Sequence, residues 1–153
     1  MISIWTFSYL GNFIGSLFAA MLFVYAGLAM GDTAAYIEKN GNGQDDCRIC
    51  GAFMRGILCN LLVCLAVWCN YKLKTEIAKL AMIFSCIFPF ITSGFEHSIA
   101  NMTLFSLALM VPHGDLVSMS GAIANLIPVT IGNIIGGAII GIVYWMNIRC
   151  EGD

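Results

Sequence analysis

Two ionisable residues, Glu96 and His97, interrupt residues 80–112, a stretch otherwise free of acidic and basic side chains. Ionisable groups are costly inside a membrane, and where they occur they usually face a polar cavity or a transport path. Alternatively, a neutral histidine bonds a backbone carbonyl that a helix break has freed, and the residues alone leave both interpretations open. Glu96 is expected to bond loosened backbone or a neighbouring span, because adjacent residues point to different faces of a helix.

Two amides, Asn60 and Asn101, also lie inside apolar segments. A polar group without a partner is expensive there, so each amide is expected to form hydrogen bonds. Bonds that hold neighbouring helices together would satisfy both side chains without any role in transport.

Catalytic and cofactor-binding patterns are missing from the sequence. Cys47 and Cys50 have the spacing of a redox or metal pair, but no second ligand pair accompanies them. The chain has no nucleotide-binding loop and no partner set for a nucleophile. We therefore predict neither an enzyme nor a metal or other cofactor.

The composition is that of a membrane protein. Of 153 residues, 59% are hydrophobic and 10% are charged, and the formal net charge is −2. Soluble domains are less apolar, and the basic residues form no cluster that would bind nucleic acid. The expected class is an all-α membrane protein, with residues 1–153 in a single transmembrane domain whose main partner is the lipid bilayer.

Charged residues cut the chain into pieces near the length of a membrane span, which needs about 20 apolar residues. About four spans result, at residues 4–30, 52–71, 75–110 and 120–146. Pro89 and Gly94 predict a break in the third span near residues 92–95, with half-helices over residues 75–91 and 95–110. Pro128 is expected to separate a lead-in segment from the last span.

A five-residue motif occurs twice: Gly-Asn-Phe-Ile-Gly at residues 11–15 and Gly-Asn-Ile-Ile-Gly at residues 132–136. Small residues at this spacing simply let membrane helices approach each other. They are also expected in an inverted repeat, in which each half of a transport fold supplies a broken helix. An inverted repeat would need counterparts upstream of Met1, so the chain reads as the last four of six crossings.

Four stretches resemble the formate/nitrite transporter family, whose members are pentameric channels for small monovalent anions. The stretches are residues 9–15 (Tyr-Leu-Gly-Asn-Phe-Ile-Gly), 55–68 (Arg-Gly-Ile-Leu-Cys-Asn-Leu-Leu-Val-Cys-Leu-Ala-Val-Trp), 94–102 (Gly-Phe-Glu-His-Ser-Ile-Ala-Asn-Met) and 125–137 (Asn-Leu-Ile-Pro-Val-Thr-Ile-Gly-Asn-Ile-Ile-Gly-Gly). The resemblance implies a fold like the C-terminal two-thirds of an aquaporin-like inverted-repeat channel, without the family's first two membrane segments. It also implies a multi-pass protein of the inner cell membrane that forms a homo-oligomer, a pentamer.

The resemblance assigns roles to individual residues. The histidine that matches His97 points into the pore, where imidazole could hydrogen-bond an anion or lend it a proton, since its unperturbed pKa lies near neutrality. Phe90 resembles the aromatic residue of the outer constriction. The implied substrate path comprises His97, Asn60, Asn101, Phe90, Thr92 and Ser93.

The resulting hypothesis is a channel or transporter for monovalent anions of weak acids, namely formate, nitrite or hydrosulfide. The alternative is a truncated, non-transporting fragment of such a channel. A water or glycerol pore is disfavoured, because those pores use paired asparagine-proline-alanine turns, whereas the break here carries Phe-Glu-His-Ser at residues 95–98.

Overall fold

The computed structural model describes residues 2–35, 46–112 and 117–151. Apart from a single helical turn over residues 32–35, the helices in this part of the chain are α1 (Ile2–Tyr25), α2 (Asp46–Lys72), α3 (Glu76–Thr92), α4 (Ser98–Met110) and α5 (Met119–Glu151). No strand occurs among the described residues. The predicted all-α class is confirmed.

Three helices contain segments long and apolar enough to cross a membrane. These segments are Ser3–Tyr25, Ile49–Lys72 and Met119–Arg149. The other two helices are shorter, with 17 residues in α3 and 13 in α4. Many large apolar side chains lie on the outside, and Phe7 on α1 is 75% exposed. Such a surface suits lipid, which fits the predicted membrane class, whereas the limits of the four predicted spans stay a prediction.

Glycines with positive φ end two of the helices. After α1, Gly27 has φ of 71°, its N–H donates to the Val24 carbonyl at 2.9 Å, and the Leu28 N–H donates to the Phe23 carbonyl at 3.3 Å. This pair of bonds is the Schellman motif, in which a left-handed residue after the helix satisfies the last carbonyls. Helix α1 therefore ends at Tyr25, short of residue 30.

The same motif ends α3. Gly94 has φ of 64°, its N–H donates to the Ile91 carbonyl at 3.3 Å, and the Phe95 N–H donates to the Phe90 carbonyl at 3.2 Å. Residues 95–97 then continue without helical structure, and α4 begins only at Ser98. The second half-helix, expected from about residue 95, begins three residues later, at Ser98.

Pro128 does not break the last helix, although the sequence boundary between the two compact units of the chain falls at this residue. Helix α5 has 33 residues and runs through this proline. Proline removes one backbone donor, but membrane helices tolerate the loss when neighbouring groups satisfy the freed carbonyl.

The chain divides into two compact units, and unit 1 consists of Met1–Ile49 and Ser98–Ile127. In this unit α1 packs against α4. The hydroxyl of Thr103 donates to the hydroxyl of Ser16 at 3.0 Å, and Ala108 and Val117 form a buried apolar cluster with side chains that include Phe23.

Unit 2 consists of Cys50–His97 and Pro128–Asp153. Here α2 and α5 approach so closely that their crossing has no room for side chains. A Cβ added at Gly56 would lie 2.9 Å from the Val129 carbonyl oxygen, and one added at Gly132 or Gly136 would collide with the backbone of α2. These glycines set the distance between the two helices.

Candidate functional site

The phenyl ring of Phe90 and the imidazole of His97 are neighbours in unit 2. Their centroids lie 6.1 Å apart, with an angle of 54° between the ring planes. Phe90 belongs to the last turns of α3, and His97 ends the non-helical segment that follows Gly94. Both side chains are half-buried. The ionisable ring of His97 and the apolar ring of Phe90 therefore lie next to each other at the break between α3 and α4.

Asn133 on α5 holds the segment that carries His97. Its side-chain nitrogen donates to the Glu96 carbonyl at 3.0 Å and to the Gly56 carbonyl at 2.8 Å. The side chain has two amide hydrogens, one for each acceptor. Asn133 is 7% exposed, so these bonds form away from water, where a lost partner is costly. One side chain thus ties the break to both α2 and α5.

Asn60 contributes to the same crossing. Its side-chain nitrogen donates to the backbone carbonyl of Asn133 at 2.6 Å. The structure therefore shows the bond between helices that the sequence left open as one interpretation. A place on a substrate path stays a prediction for this residue.

Asn101 belongs to unit 1, where it lies on α4 and is 8% exposed. Its side-chain nitrogen donates to the side-chain oxygen of Asn125 on α5 at 3.0 Å. This bond also joins two helices, as the sequence allowed. Of the predicted path residues, only Asn101 lies outside unit 2.

Thr92 and Ser93 lie where α3 ends, and both are exposed. The Thr92 hydroxyl donates to the Phe88 carbonyl at 2.9 Å, a backward bond that is typical of threonine in helices. The Ser93 N–H donates to the Pro89 carbonyl at 3.0 Å. These two residues shape the break next to Phe90, and their contact with a substrate stays a prediction.

The sequence did not identify Asn133 as a site residue, although it lies in the repeated Gly-Asn-Ile-Ile-Gly motif of residues 132–136. The first copy of the motif behaves differently: the half-buried Asn12 side chain donates to the Ser8 carbonyl of its own helix at 2.9 Å. A Cβ added at Gly11 or Gly15 would meet no described atom within 4 Å. The repeated motif was the available signal, but only the second copy faces another helix among the described residues.

Among the described residues, no group of at least three histidine, cysteine, aspartate or glutamate residues could hold a metal ion. The side chain of Cys47 lies outside the described residues.

Comparison with known proteins adds an independent observation. Residues 1–146 match the family model described as formate/nitrite transporter. The nitrite transporter NirC of Escherichia coli (strain K12) is 42% identical over 142 residues, which are 90% of this chain and 52% of that protein. The uncharacterized transporter YwcJ of Bacillus subtilis (strain 168) is 40% identical over 151 residues, which are 98% of this chain and 58% of that protein.

A solved structure agrees in fold. A structure described as a pentameric formate channel with formate bound matches with a TM-score of 0.82 and 31% sequence identity, over 97% of this chain and 66% of that chain. The chain thus spans little more than half the length of the two relatives and about two thirds of the solved channel.

Proposed function

Because the chain belongs to the formate/nitrite transporter family, we propose that it conducts a small monovalent anion of a weak acid across the membrane. Formate and nitrite are the first candidates, since a similar solved protein is described as a formate channel and a relative as a nitrite transporter. Hydrosulfide is a further candidate of the same charge and comparable size. The function is transport, and the chain performs no covalent chemistry.

The pairing of Phe90 with His97 carries this proposal. An anion that leaves water for an apolar passage pays a large desolvation cost. The phenyl ring of Phe90 keeps water out, and the imidazole of His97 offers either an N–H donor or a proton at the same depth. A hydrogen bond compensates part of the cost, and a transferred proton turns the anion into its neutral acid, which crosses an apolar constriction more easily.

The remaining predicted path residues support this pair. Thr92 and Ser93 keep the backbone at the break irregular beside Phe90, and Asn60 anchors the crossing that holds the segment through Asn133. Asn101, in unit 1, stays a proposed path residue on its own evidence, a partly buried amide pair with Asn125. Asn133 positions His97 without touching the anion.

The chain acts as a homo-oligomer, and we take the pentamer as its state. The support is the similar channel described as pentameric and the apolar exterior, on which Phe18 of α1 is 61% exposed. The anion path runs through each protomer. Native mass spectrometry of the purified chain should give the mass of five protomers.

Uptake into proteoliposomes tests the proposal. Vesicles containing the 153-residue chain receive labelled formate, nitrite or hydrosulfide, beside empty vesicles and vesicles with His97→Phe or His97→Gln. We expect saturable uptake that falls by about tenfold or more in His97→Phe, because a hydrogen bond to a charged group is worth roughly 1.5–3 kcal/mol. His97→Gln keeps a hydrogen-bond donor but has no titratable proton. Retained flux in this variant would mean that His97 acts by hydrogen bonding, and lost flux would mean that it acts by proton transfer.

The other histidine of the sequence gives a matched control, since His113→Phe makes the same change at a position outside the described residues. This variant should transport like the wild type. Failure of correctly inserted wild-type protein to take up any of the three anions would overturn the proposal. Equal loss of flux in both histidine variants would overturn the role of His97.

A further inference from the structure

The asparagine pair of unit 1 joins two apolar helices through side chains alone. Asn101 on α4 donates its side-chain N–H to the side-chain oxygen of Asn125 on α5 at 3.0 Å. Asn125 is half-buried and lies within Met119–Arg149, a segment long and apolar enough to cross a membrane. It follows the start of α5 by roughly 9 Å along the helix axis.

The hydrogen bond from Asn101 uses only the oxygen of the Asn125 amide. A primary amide has one oxygen, which accepts hydrogen bonds, and one nitrogen, which carries two hydrogens. Because the oxygen accepts from Asn101, both hydrogens of the Asn125 nitrogen remain available. The same bond restrains rotation of the amide group, so these two donors are held in one orientation.

The nitrogen of Asn125 differs in this respect from those of the other buried or half-buried asparagines that the structure describes. Each of those nitrogens donates to an oxygen of the chain; they belong to Asn12, Asn60, Asn101 and Asn133. Apart from the bond that it accepts from Asn101, the side chain of Asn125 has no hydrogen bond within the described ranges. Its two donors are therefore unused there.

These donors are accessible, although their surroundings are apolar. In the described part of the chain, the side-chain nitrogen or oxygen that is buried without a partner is that of Trp68, so the unpartnered nitrogen of Asn125 keeps accessible surface. One turn away on the same helix face, Ala122 is 7% exposed and Val129 is fully buried. An amide donor facing hydrocarbon would be costly, because lipid chains offer no acceptor. The Asn125 donors therefore require a polar partner from outside the described residues.

On the basis of the proposed transport function, we infer that Asn125 hydrogen-bonds the permeating anion in unit 1, and that Asn101 is a positioning residue that holds the Asn125 amide. The anion supplies the acceptor that this amide lacks. A neutral donor also binds an anion less tightly than a full positive charge does. Conduction needs such moderate binding, since an ion must leave each site as well as enter it.

Direct contact with the anion gives Asn125 an influence on selectivity. An amide N–H bonds well to the oxygens of formate and nitrite, whereas sulfur is a weaker acceptor. Asn125 therefore favours formate and nitrite over hydrosulfide. The ratio of formate uptake to hydrosulfide uptake reports this contact, because damage to the fold lowers the flux of both anions together.

Proteoliposome uptake of formate and hydrosulfide compares the wild type with three variants. Asn125→Leu has a similar size and no donor, so the uptake ratio should fall about fivefold. Asn101→Leu leaves the donors in place but no longer restrains them, and it should lower the ratio less. Thr103→Val is the matched control, because it removes another hydrogen bond between helices of unit 1, and it should keep the wild-type ratio.

Assembly of each variant is checked by native mass spectrometry. Where leucine at position 125 prevents assembly, Asn125→Asp takes its place, since its carboxylate still accepts the bond from Asn101 but donates none. The negative charge of this aspartate repels both anions, so the uptake ratio still isolates the lost donor. The ratio should again fall about fivefold.

Solid-state NMR of the wild-type chain in proteoliposomes gives a readout that does not depend on flux. With ¹⁵N in the asparagine side chains, the signal that is missing in Asn125→Leu belongs to Asn125. Added formate should shift its amide protons downfield in a saturable way. The amide of Asn133 already donates to two carbonyls and should not shift. In Asn101→Leu the shift at Asn125 should be smaller, because the amide is no longer restrained.

The two readouts distinguish the contact from the transport function. An unchanged uptake ratio in Asn125→Leu, or a larger fall in Asn101→Leu than in Asn125→Leu, would overturn the inference. Wild-type protein that transports formate while the Asn125 signal stays fixed would also overturn it and leave the proposed function intact. A saturable shift at Asn125 in protein that transports none of the anions would support the contact and overturn the proposed function.

Discussion

The side-chain amide of Asn133 donates a hydrogen bond across 3.0 Å to the backbone carbonyl of Glu96, the residue immediately before His97. The same amide also donates to the Gly56 carbonyl. A residue that need not touch the substrate therefore fixes the position of the one that we expect to do so.

Replacement of Asn133 by leucine should lower both stability and transport. The change removes two hydrogen bonds, a buried one to the Gly56 carbonyl and a partly buried one to the Glu96 carbonyl, and the free energy of unfolding should fall by about 1–3 kcal/mol. Unfolding in detergent micelles measures stability, and proteoliposome uptake measures transport. Asn12→Leu is the control, because its amide bonds a carbonyl of its own helix, and it should change neither quantity much. Similar losses in both variants would contradict the positioning role of Asn133.

Gly94→Ala should destabilise the break in the third span. An L-residue with side chain pays roughly 1–2 kcal/mol in the left-handed conformation of Gly94, and the free energy of unfolding should fall by that amount. Gly51→Ala makes the same change inside α2, where a Cβ meets no described atom, and should stabilise by up to about 1 kcal/mol. Destabilisation of equal size at both positions would argue against the turn as the cause.

The crossing of α2 and α5 should not tolerate even one methyl group. In Gly136→Ala the new Cβ collides with the Ile57 carbonyl, and overpacking of this kind costs about 1–3 kcal/mol. Gly15→Ala, at the corresponding position of the first motif copy, should be neutral or slightly stabilising. The midpoint of thermal unfolding in micelles compares the two. A tolerated alanine at Gly136 would show that the crossing adjusts easily.

The hydroxyl pair of unit 1 should couple α1 to α4. Thr103 donates to Ser16 at 3.0 Å, and hydrogen bonds between membrane helices contribute about 0.6 kcal/mol on average and up to about 1.7 kcal/mol. A double-mutant cycle with Thr103→Val and Ser16→Ala should give an interaction energy in this range. Strictly additive single effects would mean that the contact contributes nothing to stability.

The sequence predicted the broken helix because its cause is local. Pro89 and Gly94 lie close together inside an apolar run, and both residue types disfavour a continuous helix. The exact restart of the helix was not predictable in the same way. Residues 95–97 contain neither proline nor glycine that would mark them as non-helical, and the side chain that bonds the Glu96 carbonyl, Asn133, comes from a distant helix.

At the candidate site, the local sequence does not predict which side chains bond a neighbouring helix. Asn12 and Asn133 occupy the same place in nearly identical motifs, yet one bonds its own helix and the other bonds two distant segments. Which copy meets a neighbour depends on long-range packing, and a motif does not encode its neighbours. Gly27 presents the same difficulty, because nothing in its immediate sequence distinguishes a helix-ending glycine from Gly11 or Gly15 inside α1.

The φ of 64° at Gly94 also gives this position a handedness. The conformation is the one that a D-amino acid prefers, since mirror-image residues favour the mirror-image region of backbone space. A semisynthetic chain with D-alanine at position 94 should therefore keep the turn, and its backbone should be less flexible there than with glycine. L-alanine at the same position would strain the turn. Three residues before His97, the configuration at the Cα atom of residue 94 would decide whether the helix break keeps its shape.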